Sequence, residues 1–214
     1  MKLYISNKNE SIRVFRNSFL EFFTHANPLT PVIVYLPIVI YLIYVSYSVI
    51  PLVSLAGLFC LGILIWSFSE YVIHRWIFHL ESDTAIGKKL YLIFHKTHHD
   101  YPRDSTRLVM PLVVSIPLGL LFYAAFITVF SGYTNIIYAG LLLGYIFYDS
   151  IHYIVHSKKP VSRVGKYLKH YHILHHYYDY HTAFGVSSPL WDYVFRTMPP
   201  KSDERVRLNR NYKY

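Results

Sequence analysis

The chain has 214 residues, enough for one domain; 53% are hydrophobic and only 15% charged, against the roughly 25% usual in soluble domains. The formal charge of +9 therefore points to anionic headgroups rather than nucleic acid as the partner. A single cysteine, Cys60, excludes an intrachain disulfide framework and a cysteine-held iron–sulfur cluster.

Residues 1–30 mix charged and apolar side chains and lack the order of a cleaved signal peptide. They are expected to form a cytosolic or interfacial segment, with an interfacial helix around Ile12–Phe23. Pro31 to Ser69 contain no Asp, Glu, Lys, Arg or His, and neither do Leu108 to Tyr148. Each run is twice the roughly 20 residues that one spanning helix needs, so each reads as a helical hairpin. The breaks fall at Ser46–Pro51 and at Ser131-Gly132. The predicted architecture is an all-α membrane protein with four transmembrane helices in two hairpins, at 31–49, 52–70, 109–130 and 134–150. Residues 31–196 form its one large domain and 197–214 a basic tail. Lys and Arg number four before the first run, six between the runs and eleven after the second. Both hairpins thus begin and end on one face, which the positive-inside rule makes cytosolic.

Ten of the thirteen histidines fall into four groups on that face: His74 and His79; His95, His98 and His99; His152 and His156; His172, His175 and His176. Neutral imidazole is the commonest transition-metal ligand, and one site takes three or four, so ten suit two ions rather than one. Each half of the chain reads hairpin, histidine pair, a fifteen-residue gap (Leu80–Phe94, Ser157–Tyr171) and H-x2-H-H, a parallel internal repeat. Positions i, i+3 and i+4 share a helix face. His74 and His79, five apart, diverge by about 140° on an ideal helix, so the helix is distorted there or has ended. His25, His170 and His181 are read as ordinary polar residues. Glu70, Asp149, Asp100 and Asp179 are candidate partners for the other N–H of the ligating rings. Trp66, Phe68, Tyr145 and Phe147 are candidate substrate-lining residues, with core packing as the ordinary role of such a set. Ligands at the junction of apolar helices and cytosol suit an acyl chain, whose C–H bonds call for redox chemistry rather than hydrolysis. All-imidazole sites suit iron, zinc, copper or nickel; iron with O2 fits this redox setting, whereas zinc, which has no redox chemistry, would mean a hydrolase or an inert substitute.

Four histidine patterns in this order resemble the fatty acid hydroxylase superfamily of membrane di-iron oxygenases. The stretches HHDYPRDSTRLVMP (98–111), GYIFYDSIHYIVHS (144–157) and YHILHHYYDYHTAFGVSSPLWDYVF (171–195) are similar to the fatty acid 2-hydroxylase branch. The resemblance implies a four-helix membrane bundle under a cytosolic helical cap, two iron ions held by the ten histidines, O2 as co-substrate and a fatty acyl or ceramide substrate. It also implies that isolated protein can carry zinc. Relatives with an N-terminal cytochrome b5 domain carry a His-Pro-Gly-Gly segment that is absent here. The electrons are therefore expected from a separate donor such as cytochrome b5 or ferredoxin, at a bacterial inner membrane or the endoplasmic reticulum. A second departure is Phe195-Arg196-Thr197, where Phe-Gly-Thr is common. Carotenoid or sterol hydroxylases and desaturases of the same superfamily are the alternative reading. A metal transporter or metal-binding storage protein is the rival of another class; transport is disfavoured because the spans hold no ionisable ligands near their midplane.

Overall fold

The computed structural model describes residues 4–80 and 82–199, so the tail from residue 200 onward lies outside the described residues. All regular structure among the described residues is helical. A short α1 (Ser18–Phe22) precedes the long helices α2 (Thr30–Tyr47) and α3 (Leu52–Val72), and α3 continues as a wider π-helical turn over Ile73–Phe78. The cap then begins with α4 (Ala85–Tyr91), a second π-helical turn (Leu92–Lys96) and α5 (Thr97–Asp100). The chain returns through α6 (Leu112–Phe130) and α7 (Thr134–Ser157), and the cap closes with α8 (Arg163–Tyr177) and α9 (Leu190–Val194).

Three stretches are long and apolar enough to cross a membrane: Thr30–Tyr47, Leu52–Phe78 and the 46-residue Leu112–Ser157. The last is divided at Ser131, whose φ of 49° turns the chain out of α6. Pro51 caps α3, and the residue before a proline avoids helical ψ, so the first break falls where expected. The helices outrun the charge-free runs at their cap ends: α3 and its π turn reach Phe78, and α7 reaches Ser157. Lack of charge marks only the lipid-facing length. Beyond it the same helices are buried by protein, where polar side chains find partners.

The two predicted hairpins do not form two separate packing units. Helix α7 is buried along most of its length and packs chiefly on α3 and α2, while its chain neighbour α6 touches it less. Glycine sets the closest crossing. A Cβ on Gly140 would lie 2.0 Å from the Phe59 carbonyl oxygen, and one on Gly62 would lie 2.0 Å from that of Ile137. Small residues at such crossings let helix backbones meet. Helix α2 is tied to α6 by the Tyr35 hydroxyl and Ser115 Oγ, 2.7 Å apart and buried.

The interfacial helix expected over Ile12–Phe23 is shorter, five residues rather than twelve. Glu21 Oε2 accepts from the amides of Val14 and Phe15 at 2.9 and 2.7 Å, which holds that stretch in a turn. Asn17 then caps α1 through the amides of Phe19 and Leu20. The segment also lies on the cap: Ile5 and Ser6 donate to the Asp100 carbonyl, and Ala26 donates to that of Thr106.

Candidate metal centre

The π-helical turn after α3 resolves the odd spacing of His74 and His79. His79 N–H donates to the His74 carbonyl at 3.3 Å, an i→i+5 bond that brings the two rings to one face, with centroids 5.1 Å apart. The second π turn holds His95 and leads directly into α5 with His98 and His99.

The ten histidines assemble into two groups of five. His74, His79, His95, His99 and His175 form one; His98, His152, His156, His172 and His176 form the other, each with its candidate nitrogens within 4.8 Å of one another. In each H-x2-H-H motif the residues at i and i+4 join the pair from their own half. The residue at i+3, His98 or His175, crosses into the other group. The groups touch, with the His99 and His176 rings stacked at 4.1 Å. His25, His170 and His181 belong to neither.

The donor set suits a transition metal. An ion bonded to imidazole nitrogen at about 2.1 Å places two ligands at right angles about 3.0 Å apart. Nε2–Nε2 separations are 3.0 Å for His74–His95, His95–His99 and His79–His175, 3.1 Å for His98–His176 and 2.9 Å for His156–His172. His74 Nδ1–H donates to the Phe184 carbonyl, His175 Nδ1–H to that of Thr182 at 2.7 Å, and His152 Nδ1–H to that of Leu108 at 2.6 Å. A carbonyl only accepts, so these three rings carry their proton on Nδ1 and turn the Nε2 lone pair toward their group.

None of the four carboxylates named from sequence bonds a clustered ring. Glu70 instead accepts from the amides of Val186 and Ser187 at 2.7 and 2.8 Å and from the Ser187 hydroxyl. Asp149 accepts from the Met110 amide at 3.2 Å. Each carboxylate therefore grips the residue two beyond a ring-orienting carbonyl, Val186 after Phe184 and Met110 after Leu108, so the repeat extends to the supporting shell. Asp100 pairs with Lys96 at 2.6 Å, and Asp179 accepts from the His181 amide. Replacing Glu70 by alanine strands two amides and a hydroxyl and frees the Phe184 carbonyl. Metal affinity is expected to fall about 10–100-fold, with Glu70→Gln falling less because Oε1 can still accept. Competition with a chelator measures this, and unchanged affinity in Glu70→Ala would refute the coupling.

Asp192, which the sequence reading missed, braces the same loop. It accepts from the amides of Phe184 and Gly185 at 2.9 and 2.7 Å and from the Thr197 hydroxyl at 2.7 Å. Its signal in sequence is only a carboxylate in an otherwise apolar stretch. The carbonyls of Leu108, Thr182 and Phe184 carry no side-chain signal at all. Arg196 has φ 58°, the left-handed region where glycine is favoured, which gives a physical reason for glycine at this place in the resembling sequences. Arg196→Gly should stabilise the fold by about 0.5–1 kcal/mol, visible as a thermal midpoint raised by about 2 °C. A lowered midpoint would show that the arginine side chain compensates.

Burial lowers the pKa of His95, His98, His99, His172, His175 and His176 well below the usual imidazole range, and neighbouring rings add to the shift. His79 is pushed down to about 2 by burial, then by His74 and His181. The folded chain holds these rings neutral, whereas the unfolded chain protonates them below about pH 6.5. The unfolded state then binds more protons, so this stability is fully present above about pH 6.5 and declines as pH falls below it. Thermal midpoints are expected to be flat from about pH 7 to 8.5 and to drop steadily toward pH 5. A flat profile down to pH 5 would contradict the buried neutral assignment.

A cavity of about 270 Å³ reaches both groups, touching His95 of one and His98 and His152 of the other. Its remaining wall is largely apolar, including Phe78, Ile93 and Leu108, with Arg107 and Asp149 as its charged members, and Phe78 stacks on His95 at 5.1 Å. None of the four aromatic candidates for a substrate path lines this cavity, but Trp66 and Tyr145 border a smaller one that shares Met110 with it. Trp66 and Tyr145 are buried against each other in the helix packing, 5.1 Å between rings. Phe68 packs on Trp191 at 4.8 Å, and Phe147 is half exposed on the outer face of α7.

Fold and site together define an all-helical protein of membrane type, with paired five-histidine groups suited to two neighbouring ions at the end of an apolar bundle. The fatty acid hydroxylase family matches residues 59–197. The chain is 35% identical over 192 residues to the dihydroceramide fatty acyl 2-hydroxylase FAH1 of Arabidopsis thaliana, covering 89% of this chain and 81% of the relative. It is 41% identical over 152 residues to the fatty acid 2-hydroxylase of Mus musculus, covering 68% of this chain but only 40% of the relative. Among solved structures, the visible hydroxylase domain of full-length scs7p superposes with a TM-score of 0.81 at 34% identity, covering 87% of this chain and 71% of that one. The chain belongs to the fatty acid hydroxylase family.

Proposed function

We propose that this protein hydroxylates carbon 2 of a lipid acyl chain, in a ceramide or free fatty acid, using O2 at two iron ions. The observation that carries this reading is one apolar cavity meeting both five-histidine groups. The relatives' names, dihydroceramide fatty acyl 2-hydroxylase and fatty acid 2-hydroxylase, supply the substrate class and position. His74, His79, His95, His99 and His175 would hold one ion, and His98, His152, His156, His172 and His176 the other. Bound there, iron supplies reductive activation of O2: two electrons and two protons enter, one oxygen atom replaces a C–H bond by C–OH, and the other leaves as water.

The chain's own residues do the remaining work. Phe184, Thr182 and Leu108 fix ring orientation through their carbonyls, so Nε2 faces inward. Phe78, Ile93 and Leu108 keep water from the reacting carbon, and the cavity's depth selects which carbon reaches the rings, which is catalysis by positioning. Helices α2, α3, α6 and α7 serve as four spans, with the cap on the cytosolic side where Lys and Arg gather. A separate redox protein delivers the electrons.

The test is product analysis. Iron-loaded protein in lipid vesicles, with a reducing system, 18O2 and defined ceramides and fatty acids, should yield 2-hydroxy products carrying one 18O. A hydroxyl at another carbon, or a new double bond, would reject the assignment.

A further inference from the structure

The inner cavity has a neighbour. A second cavity of about 530 Å³ runs between Phe22 and Phe23 of the N-terminal segment and Leu112, Ile116 and Pro117 of α6. Phe23, Pro111 and Val113 line both, so the outer groove shares a wall with the cavity beside the imidazoles. The outer groove has no Asp, Glu, Lys or Arg in its lining. Its α6 side is continuous with the exposed apolar outer face of that helix, including Val113, Ile116 and Leu120.

The N-terminal segment forms the other side and is fastened in place. Arg107, with 7% of its side chain exposed, donates from Nη2 to Glu21 Oε1 at 2.6 Å and Thr24 Oγ1 at 3.0 Å. From Nη1 it donates to Ser11 Oγ at 2.6 Å and Asp104 Oδ2 at 3.0 Å. One buried guanidinium thus straps residues 11–25 over the inner cavity. On the strap's outer side Phe19 and Phe22 are 70% and 73% exposed, next to the start of α2, where the uncharged run begins. Exposed aromatic side chains at that level suit the boundary between headgroups and acyl chains.

We propose that the strap and the first turns of α6 frame a lateral portal through which a membrane lipid's acyl chain passes from the bilayer to the inner cavity. The proposal rests on the oxygenase reading. An acyl chain is the occupant because the groove has no Asp, Glu, Lys or Arg, opens toward the exposed apolar face of α6 and shares a wall with the cavity beside the imidazoles. A charged, water-soluble substrate would lose its hydration in the outer groove without meeting a side chain of opposite charge there.

The test uses the full chain in phosphatidylcholine vesicles with a ceramide bearing a diazirine on its acyl chain. Photolysis should label residues 11–25 and 111–117, and excess unlabelled ceramide should displace the label. Ile116→Trp and Ala26→Trp, both at residues that line only the outer groove, should abolish displaceable labelling and raise KM about tenfold, with kcat and metal content held. Leu121→Trp, further along the exposed face of α6, should change neither. Displaceable label elsewhere, labelling that ceramide does not displace, or unchanged KM in both groove variants would overturn the portal. Failure of the unsubstituted protein to form any 2-hydroxy product would instead overturn the oxygenase reading, and the labelling pattern would still decide the portal.

Discussion

Replacing His175 by alanine is expected to lower metal content from two ions per chain to about one and hydroxylation at least about 100-fold. His175 is the crossing member of its motif. It sits on α8 beside His172 and His176, but its ring joins His74, His79, His95 and His99. Its Nε2 faces that of His79 at 3.0 Å, and the Thr182 carbonyl holds its Nδ1–H. Its loss opens one group of five and leaves the other whole. His98→Ala is the mirror case and should empty the second group instead. In the proposed reaction both ions act together, so the double variant should be little worse than either single one. Elemental analysis with product formation checks all three. Retention of two ions in His175→Ala, or additive losses of activity, would count against two separately held ions acting together.

Gly140→Ala is expected to lower stability by about 1–3 kcal/mol or more, and Gly57→Ala to be neutral or mildly stabilising. The new Cβ at 140 would meet the Phe59 carbonyl oxygen at 2.0 Å and Gly62 Cα at 3.1 Å, whereas nothing lies within 4 Å at 57. Both obstacles at 140 are backbone, so relief requires α3 and α7 to separate. Those helices deliver His74 and His79 to one group and His152 and His156 to the other, so activity should fall with stability. Thermal unfolding in detergent, read with metal content, tests this. Equal behaviour of the two alanine variants would show that the crossing is not the constraint.

Much of this was legible in the amino-acid order. Two runs without charge predict apolar helices, because charge in lipid is costly. Ten imidazoles near the ends of those runs predict two ions, because ligand number is a chemical limit. The five-residue step from His74 to His79 predicts a helix that is distorted or has ended, and both hold: the π turn is the distortion and His79 lies just past its end. The reach of α3 and α7 into the cap was not legible, since burial by protein leaves no mark in a count of charges.

The sequence by itself determined the composition of the site: which side chains would gather, how many, and in a pattern repeated across the two halves. Only the tertiary structure decided how they divide, with His98 and His175 exchanging sides while Glu70 and Asp149 each hold a loop rather than a ring. The physical reason is that ligand type and helical spacing are local properties. Which ring meets which depends on how closely α3 and α7 approach and where the carbonyls of Leu108, Thr182 and Phe184 point. Those are backbone positions that no side chain in the sequence announces.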